Sequence, residues 1–189
     1  MAKQEQKIKL GGEFALIQNY FRSRQSTNAL DGVELGIGDD CALLRMASHN
    51  VLAVSMDTLV ADVHFPANAA PAEIAQRAVR VNLSDLAAMG ATPRWLTLAL
   101  TLPAEDEVWL QDFAEGFFEV CKEYNIALVG GDTTRGPLSL TLQVHGEVVL
   151  DQALKRSGAK SGDLVYVSGS LGDGAAGLAV IQQQVIANE

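Results

Sequence analysis

Residues 126–149 read IALVGGDTTRGPLSLTLQVHGEVV. Ile126 to Val129 is a short apolar run of strand length that breaks into Gly130-Gly131. Leu138 to Val149 then alternates apolar and polar residues with the period of two that marks a half-buried strand. Upstream, Glu105 to Tyr124 carries apolar residues at helical spacing, and Trp95 to Leu102 is aliphatic and alternating. Strand, amphipathic helix and strand in that order make a crossover, whereas the short runs on either side of residues 47–50 read as a strand pair joined by a turn. Crossover and turn connections together predict an α+β domain with a mixed or antiparallel sheet packed by helices, in preference to a plain doubly wound sheet.

The flanks fit around this segment. Pro71 opens a helix with Glu73 in its first turn, Ile74, Ala78, Val81 and Leu86 on its apolar side, and Gly90 as its stop. Cys41 to Arg45 and Val51 to Met56 lie either side of the turn-like Ala47-Ser48-His49-Asn50 and read as a strand pair, with a loop from Met56 to Pro66. Phe14, Ile17, Tyr20 and Phe21 predict a first helix ending near Arg24. Beyond a polar connector, Leu164 to Ser168 reads as a new strand, followed by a glycine-rich turn and a helix from about Ala175. The expected organisation is a flexible leader over 1–12, an N-terminal domain over 13–150, and over 151–189 the first elements of a truncated C-terminal α/β domain.

Bulk properties narrow the function. No apolar run approaches the roughly 20 residues that cross a bilayer, and the N-terminal MAKQEQKIKL lacks the apolar core of a secretory signal. A net charge of −9 without Lys or Arg clusters argues against a nucleic-acid surface. Cys41 and Cys121 have no C-x-x-C spacing, so no zinc site or disulfide framework is expected, which fits a reducing cytoplasm. If so acidic a chain binds a phosphorylated ligand, divalent cations held by carboxylates are the expected counter-charge.

Four clusters have the chemistry for that: Gly36-Ile37-Gly38-Asp39-Asp40, Ser55-Met56-Asp57-Thr58, Asn82-Leu83-Ser84-Asp85 and Gly130-Gly131-Asp132-Thr133-Thr134-Arg135-Gly136. Each sets an Asp beside small residues at a strand end or on a bordering helix, where carboxylates can meet in a shared cleft. Magnesium takes oxygen ligands, usually one or two carboxylates with waters and phosphate oxygens. Any single cluster reads equally well as turn and cap chemistry. Asp85, inside a helix among apolar residues, calls for a cation or hydrogen-bond partner, with a salt bridge to Arg77 or Arg80 as the structural alternative. Walker and dinucleotide glycine patterns are absent, because Ala159 stands before Lys160 and Gly169 to Gly174 are out of order. His64, just after the Asp57 cluster, is the histidine placed where a donor or a stacking ring could meet a substrate, with a plain loop role as the alternative.

The stretches GEFALIQNYF, ELGIGDDCALL, DTLVADVHF, VNLSDLAAMGATPRWLTLALTLP, GGDTTRGPLSLTL and RSGAKSGDLVYVSG together resemble the bacterial thiamine-monophosphate kinase family. That family belongs to a superfamily with aminoimidazole ribonucleotide synthetase and selenophosphate synthetase. The resemblance runs from Gly12 to Gly177 and implies ATP-dependent phosphorylation of thiamine monophosphate. It implies that Asp40, Ser55, Met56, Asp57, Asp85 and Asp132 hold several magnesium ions, with Asp39 a weaker candidate. It assigns Gly131, Asp132 and Arg156 to ATP and His64 to the thiamine substrate. Met56 departs from the hydroxyl residue common there, so only its carbonyl suits magnesium. The family's first domain pairs across a twofold to close a β-barrel, which implies a homodimer, with no nucleic acid or membrane partner. Family members are longer and carry further site residues, so this chain alone is expected to be inactive. The alternatives are a selenophosphate synthetase-like enzyme of the superfamily and a non-catalytic dimerisation or metal-binding fragment.

Overall fold

The structure, a computed structural model, describes residues 13–24 and 31–184, so the leader expected over 1–12 lies outside the described residues. The chain divides into two compact units, Met1–Leu154 and Lys155–Glu189.

The first unit is built on a four-stranded sheet of β3 (Asn50–Val60), β4 (Thr92–Leu102), β5 (Ala127–Arg135) and β6 (Ser139–Val149), in the order β3-β6-β4-β5. β4 and β5 are parallel, as the crossover predicts, and β6 runs antiparallel to both β3 and β4. Helices α2 (Pro71–Ala88) and α3 (Glu107–Glu123) cover one face. Pro71 sits at the start of α2, and Gly90, at φ 69°, follows its end. Asp106 caps α3 by accepting from the Val108 and Trp109 amides at 3.0 and 3.1 Å. Leu96, Leu98, Leu100, Leu140, Leu142 and Val144 point from the sheet into a core with Ile74, Val79, Phe113 and Phe117. Each such large side chain contributes roughly 1.5–3 kcal/mol by leaving water.

The first helix is described as far as Arg24, and it is not one regular helix. A single turn, α1 (Glu13–Leu16), widens into a π-type turn at Ile17–Phe21 and tightens into a 3₁₀ turn at Arg22–Arg24. Phe21, 4% exposed, sets the pitch by meeting Phe117 edge-on at 6.4 Å.

Two strand readings need correction. Leu43–Leu44 (β2) pairs with Val33–Leu35 (β1), while Asn50 to Val60 pairs residue for residue with Ser139 to Val149, so 41–45 and 51–56 are not partners. The turn at His49, φ 72°, reverses the chain but passes it from the small sheet to the large one. There β6 offers a full-length edge that a two-residue strand cannot match. β3 likewise continues through the expected loop as far as Val60, because the register persists and Thr58 and Thr141 bond through their hydroxyls at 2.8 Å.

The small β1–β2 sheet covers part of the sheet's other face. Val33, Ala42 and Leu44 pack on Trp95, Ala127 and Val129. On β3 that face stays open, with Leu52, Val54 and Met56 exposed by 46, 48 and 61%. Beside Trp95, burial holds the His145 imidazole below its ordinary 6.5, against a hydrogen bond with the Trp95 backbone that favours the charged form. The unfolded chain therefore takes up this proton first, and stability intact above pH 6.5 declines as pH falls toward the lower folded value. Thermal melts are expected to drop as pH falls below 6.5, and less steeply in His145→Gln.

In the second unit, Arg156–Gly158 forms a 3₁₀ turn and α4 spans Asp173–Ile181, close to the predicted helix. The strand expected at Leu164 to Ser168 is not formed. A strand needs a ladder partner, and among the described residues none pairs with this run, whose Leu164, Val165 and Tyr166 are 76, 95 and 82% exposed.

Candidate functional site

β3 is an edge strand, so half its amide groups lack a ladder partner. The Asp57 amide meets α2 instead, donating to Asn82 Oδ1 at 3.1 Å, while Asn82 Nδ2 donates to the Ala78 carbonyl at 2.9 Å. Asn82 is fully buried, so it clamps the site strand to the helix. One turn later on α2, Asp85 Oδ2 accepts from the Ser55 hydroxyl at 2.5 Å. Asp85 is exposed, not buried among apolar side chains, and its partner is that hydroxyl. Arg80 pairs with Glu123 at 3.0 Å. Ser55 and Asp57 thus face α2 together, and Met56 points to the opposite, open face, leaving only its backbone near them. Asn82→Ala is expected to cost roughly 1–3 kcal/mol, since it strands a buried amide, and a thermal melt indistinguishable from the parent would contradict the clamp.

Downstream of β3 the chain turns sharply. Asp62 adopts φ 61°, and its Oδ1 accepts the Ala67 amide at 3.0 Å. The Val60 amide donates to His64 Nδ1 at 3.0 Å. Nδ1 is therefore the bare nitrogen of the neutral ring, and Nε2 carries the hydrogen. The exposed His64 presents a fixed donor at the end of the strand that carries Asp57.

A second group gathers at β5, the opposite edge. A cavity of about 480 Å³ is lined by Asp39, Asp40, Gly131 and Asp132, with an apolar wall that includes Ile17, Phe21, Ile37 and Leu98. Asp39 Oδ1 accepts the Asp40 amide at 2.9 Å, the turn role open to any such Asp, while the Asp40 carboxylate meets no hydrogen-bond donor among the described residues. Gly131, at φ 156°, leans so close to β4 that a Cβ there would lie 1.9 Å from the Leu98 carbonyl oxygen. This bend brings Asp132 to the cavity wall. Cys41 is exposed on the same wall, whereas burial pushes the Cys121 thiol up to about 12 and keeps it a core residue.

The shared cleft expected of all four clusters is not formed within the chain. Asp57 is level with Leu142, Leu98 and Gly131 across the sheet. Three inter-strand steps, about 14 Å, therefore separate it from the β5 edge. Among the described residues no three His, Cys, Asp or Glu side chains gather to hold a metal ion. The predicted residues fall instead into Ser55, Asp57 and Asp85 at β3, and Asp39, Asp40 and Asp132 at β5. Both groups offer only oxygen donors, and a magnesium site that keeps waters and phosphate oxygens needs one or two carboxylates, so the residues fit that ion. Arg156 lies in the second unit, where it opens the 3₁₀ turn. Sequence reading missed two residues: Asn82, quoted only as part of its cluster, and Arg22, which also lines the cavity. An amide inside an apolar helix face was the available signal for the first.

A thiamine-monophosphate kinase of Escherichia coli is 58% identical over 174 residues, 92% of this chain and 53% of its own length. A solved thiamine-monophosphate kinase from Stenotrophomonas maltophilia is 50% identical with a TM-score of 0.81, over 91% of this chain and 54% of that one. AaThiL, solved in complex with AMPPCP and TMP, is 32% identical with a TM-score of 0.69, over 94% of this chain and 55% of that one. The chain spans about half the length of the curated relatives it matches. Residues 38–148, well over half of the chain, match the family model described as AIR synthase related protein, N-terminal domain, and the chain belongs to that family.

Proposed function

We propose that this chain carries the first domain of a thiamine-monophosphate kinase, which transfers the γ-phosphoryl group of ATP to thiamine monophosphate to give thiamine diphosphate and ADP. The observation that carries the reading is the cavity at β5, with an apolar wall at one side and Gly131, Asp132 and Asp40 at the other. An apolar wall suits a heterocycle, and close backbone with oxygen donors suits a metal-bound polyphosphate. The kinases it resembles, one of them solved with a nucleotide analogue and TMP, supply the substrate class.

The terminal phosphate oxygen of thiamine monophosphate is already ionised, so the transfer needs little general-base help. Catalysis reduces to alignment and to cancelling repulsion between two anions. Bound magnesium would supply that cancellation, held by Asp40, Ser55, the Met56 carbonyl, Asp57, Asp85 and Asp132. Asn82 fixes the height of Asp57 on its strand. Gly131 lets the backbone approach the nucleotide, His64 offers its Nε2 hydrogen to the acceptor substrate, and Arg156 keeps a phosphate-contacting role.

Our reading includes a homodimer. The open sheet face with Leu52, Val54 and Met56 is apolar surface that a second copy would cover. β3 and β5 are the two free edges of the sheet, so closing a barrel from two copies would also unite edges that stand apart in one chain. No described helix is long and apolar enough to cross a membrane, and with exposed Cys41 a free thiol we place the protein in the cytoplasm. Calorimetric titration with AMPPCP, with and without magnesium, tests the nucleotide site, and solution scattering tests the dimer. Binding only with magnesium and a dimeric mass are expected. Binding indifferent to magnesium, or a stable monomer, would overturn the corresponding part.

A further inference from the structure

Among its described lining residues the cavity at β5 has one positively charged side chain, Arg22, to which no chemical role has been given above. Arg22 lies on its wall, and its Nη1 stands 3.0 Å from where a Cβ on Gly38 would be, with Cζ at 3.3 Å and Nη2 at 3.5 Å. The guanidinium therefore rests on the backbone of the Gly36 to Asp40 loop, a place open only because residue 38 has no side chain.

The neighbouring residues anchor the segment. Phe21 is buried against Phe117, and Arg24 Nη2 donates to Gln111 Oε1 on α3 at 2.6 Å. Arg22 thus lies next to Phe21, which is anchored in the core, and two positions before Arg24, which bonds to the exposed side of α3, and its side chain lines the cavity.

Its charge is not spent elsewhere. Arg24, Arg45, Arg80 and Arg94 each lie within ion-pair distance of a carboxylate. Arg22 pairs with none among the described residues, although Asp39, Asp40 and Asp132 line the same cavity. Arg77 and Arg135 also pair with no carboxylate among the described residues, but neither lines the cavity. In a chain of net charge −9, a cavity with three carboxylates repels a polyphosphate unless positive charge meets it. A planar guanidinium with several donors and no partner is suited to phosphate oxygens.

We propose that Arg22 is a further nucleotide-binding residue of this cavity, an arm that contacts the phosphate chain and lowers the charge barrier set by the three carboxylates. The proposal rests on the nucleotide reading above and adds a residue and a chemical role to it. Gly38 belongs to the same device: a side chain there would displace the guanidinium.

The test is calorimetric titration of the full chain and of Arg22→Ala, Arg22→Gln and Arg22→Lys, with ATP and separately with adenosine, in magnesium, with thermal melts confirming folding. The expected result is ATP affinity lowered roughly tenfold to a hundredfold in Arg22→Ala and Arg22→Gln, the worth of a charge-assisted contact. Arg22→Lys should keep part of it, and adenosine affinity should not move. ATP and adenosine weakened in parallel would overturn the phosphate contact and leave a packing role. Unchanged ATP affinity in Arg22→Ala and Arg22→Gln would overturn the proposal and leave the nucleotide reading standing. A parent chain that binds no ATP with magnesium would overturn both.

Discussion

Gly131→Ala is expected to lower stability by on the order of 3 kcal/mol or more, at or above the upper end of what interior overpacking usually costs. The new methyl would sit 1.9 Å from the Leu98 carbonyl oxygen and 2.8 Å from its carbon, both backbone atoms of a central strand. No rotamer relieves that contact, so β4 and β5 must part where they pair, Leu98 with Gly131. At about 2–4 °C per kcal/mol for a chain of this size, the melting temperature should fall by roughly 6–12 °C or more. The adjacent glycine is the control. A Cβ on Gly130 meets only the Thr97 methyl, at 3.8 Å, so Gly130→Ala should melt within about 1 kcal/mol of the parent. Equal melts for the two variants would contradict this account of the strand.

Asp57→Asn should separate activity from folding. The carboxylate is partly exposed and no described side chain pairs with it, while the Asp57 amide keeps its bond to Asn82 whatever the side chain carries. Stability should therefore move by about 0.5 kcal/mol or less. On the proposed reading, in which Asp57 holds magnesium, its loss should remove several kcal/mol of transition-state stabilisation, a fall in kcat of roughly 10²- to 10⁴-fold in the chain continued to the length of its relatives. Raised magnesium should recover part of it if the loss is in ion binding. Full activity in Asp57→Asn would remove the carboxylate groups from the mechanism.

The sheet was legible where one face is buried. Leu138 to Val149 alternates because Leu140, Leu142 and Val144 enter the core while Thr141 and Gln143 do not, and that pattern located β6 and its neighbour β4. Partners were less legible than strands. The turn at His49 looks like a hairpin because local sequence records that the chain reverses, not which edge awaits it. The run at Leu164 shows the same limit, since strand propensity without a partner leaves an extended segment.

The site divided similarly. The candidate residues Asp40, Asp57, Asp85 and Asp132 stand out as acidic residues beside small ones, a signal carried by composition, whereas Ser55 enters through the resemblance. Their separation into two groups follows from strand order, with β6 and β4 inserted between the edges, and no short motif encodes that. Arg22 was hidden for a related reason: it matters through its approach to Gly38, sixteen positions on, which only the folded first helix creates.

The central claim is chemical, so its most direct test is product formation. This chain, and in parallel the chain continued to the length of its relatives, would be incubated with ATP, magnesium and thiamine monophosphate and the mixture separated by chromatography. The account predicts thiamine diphosphate and ADP in equal amounts from the longer protein, abolished by chelating magnesium. No thiamine diphosphate from either protein would contradict it.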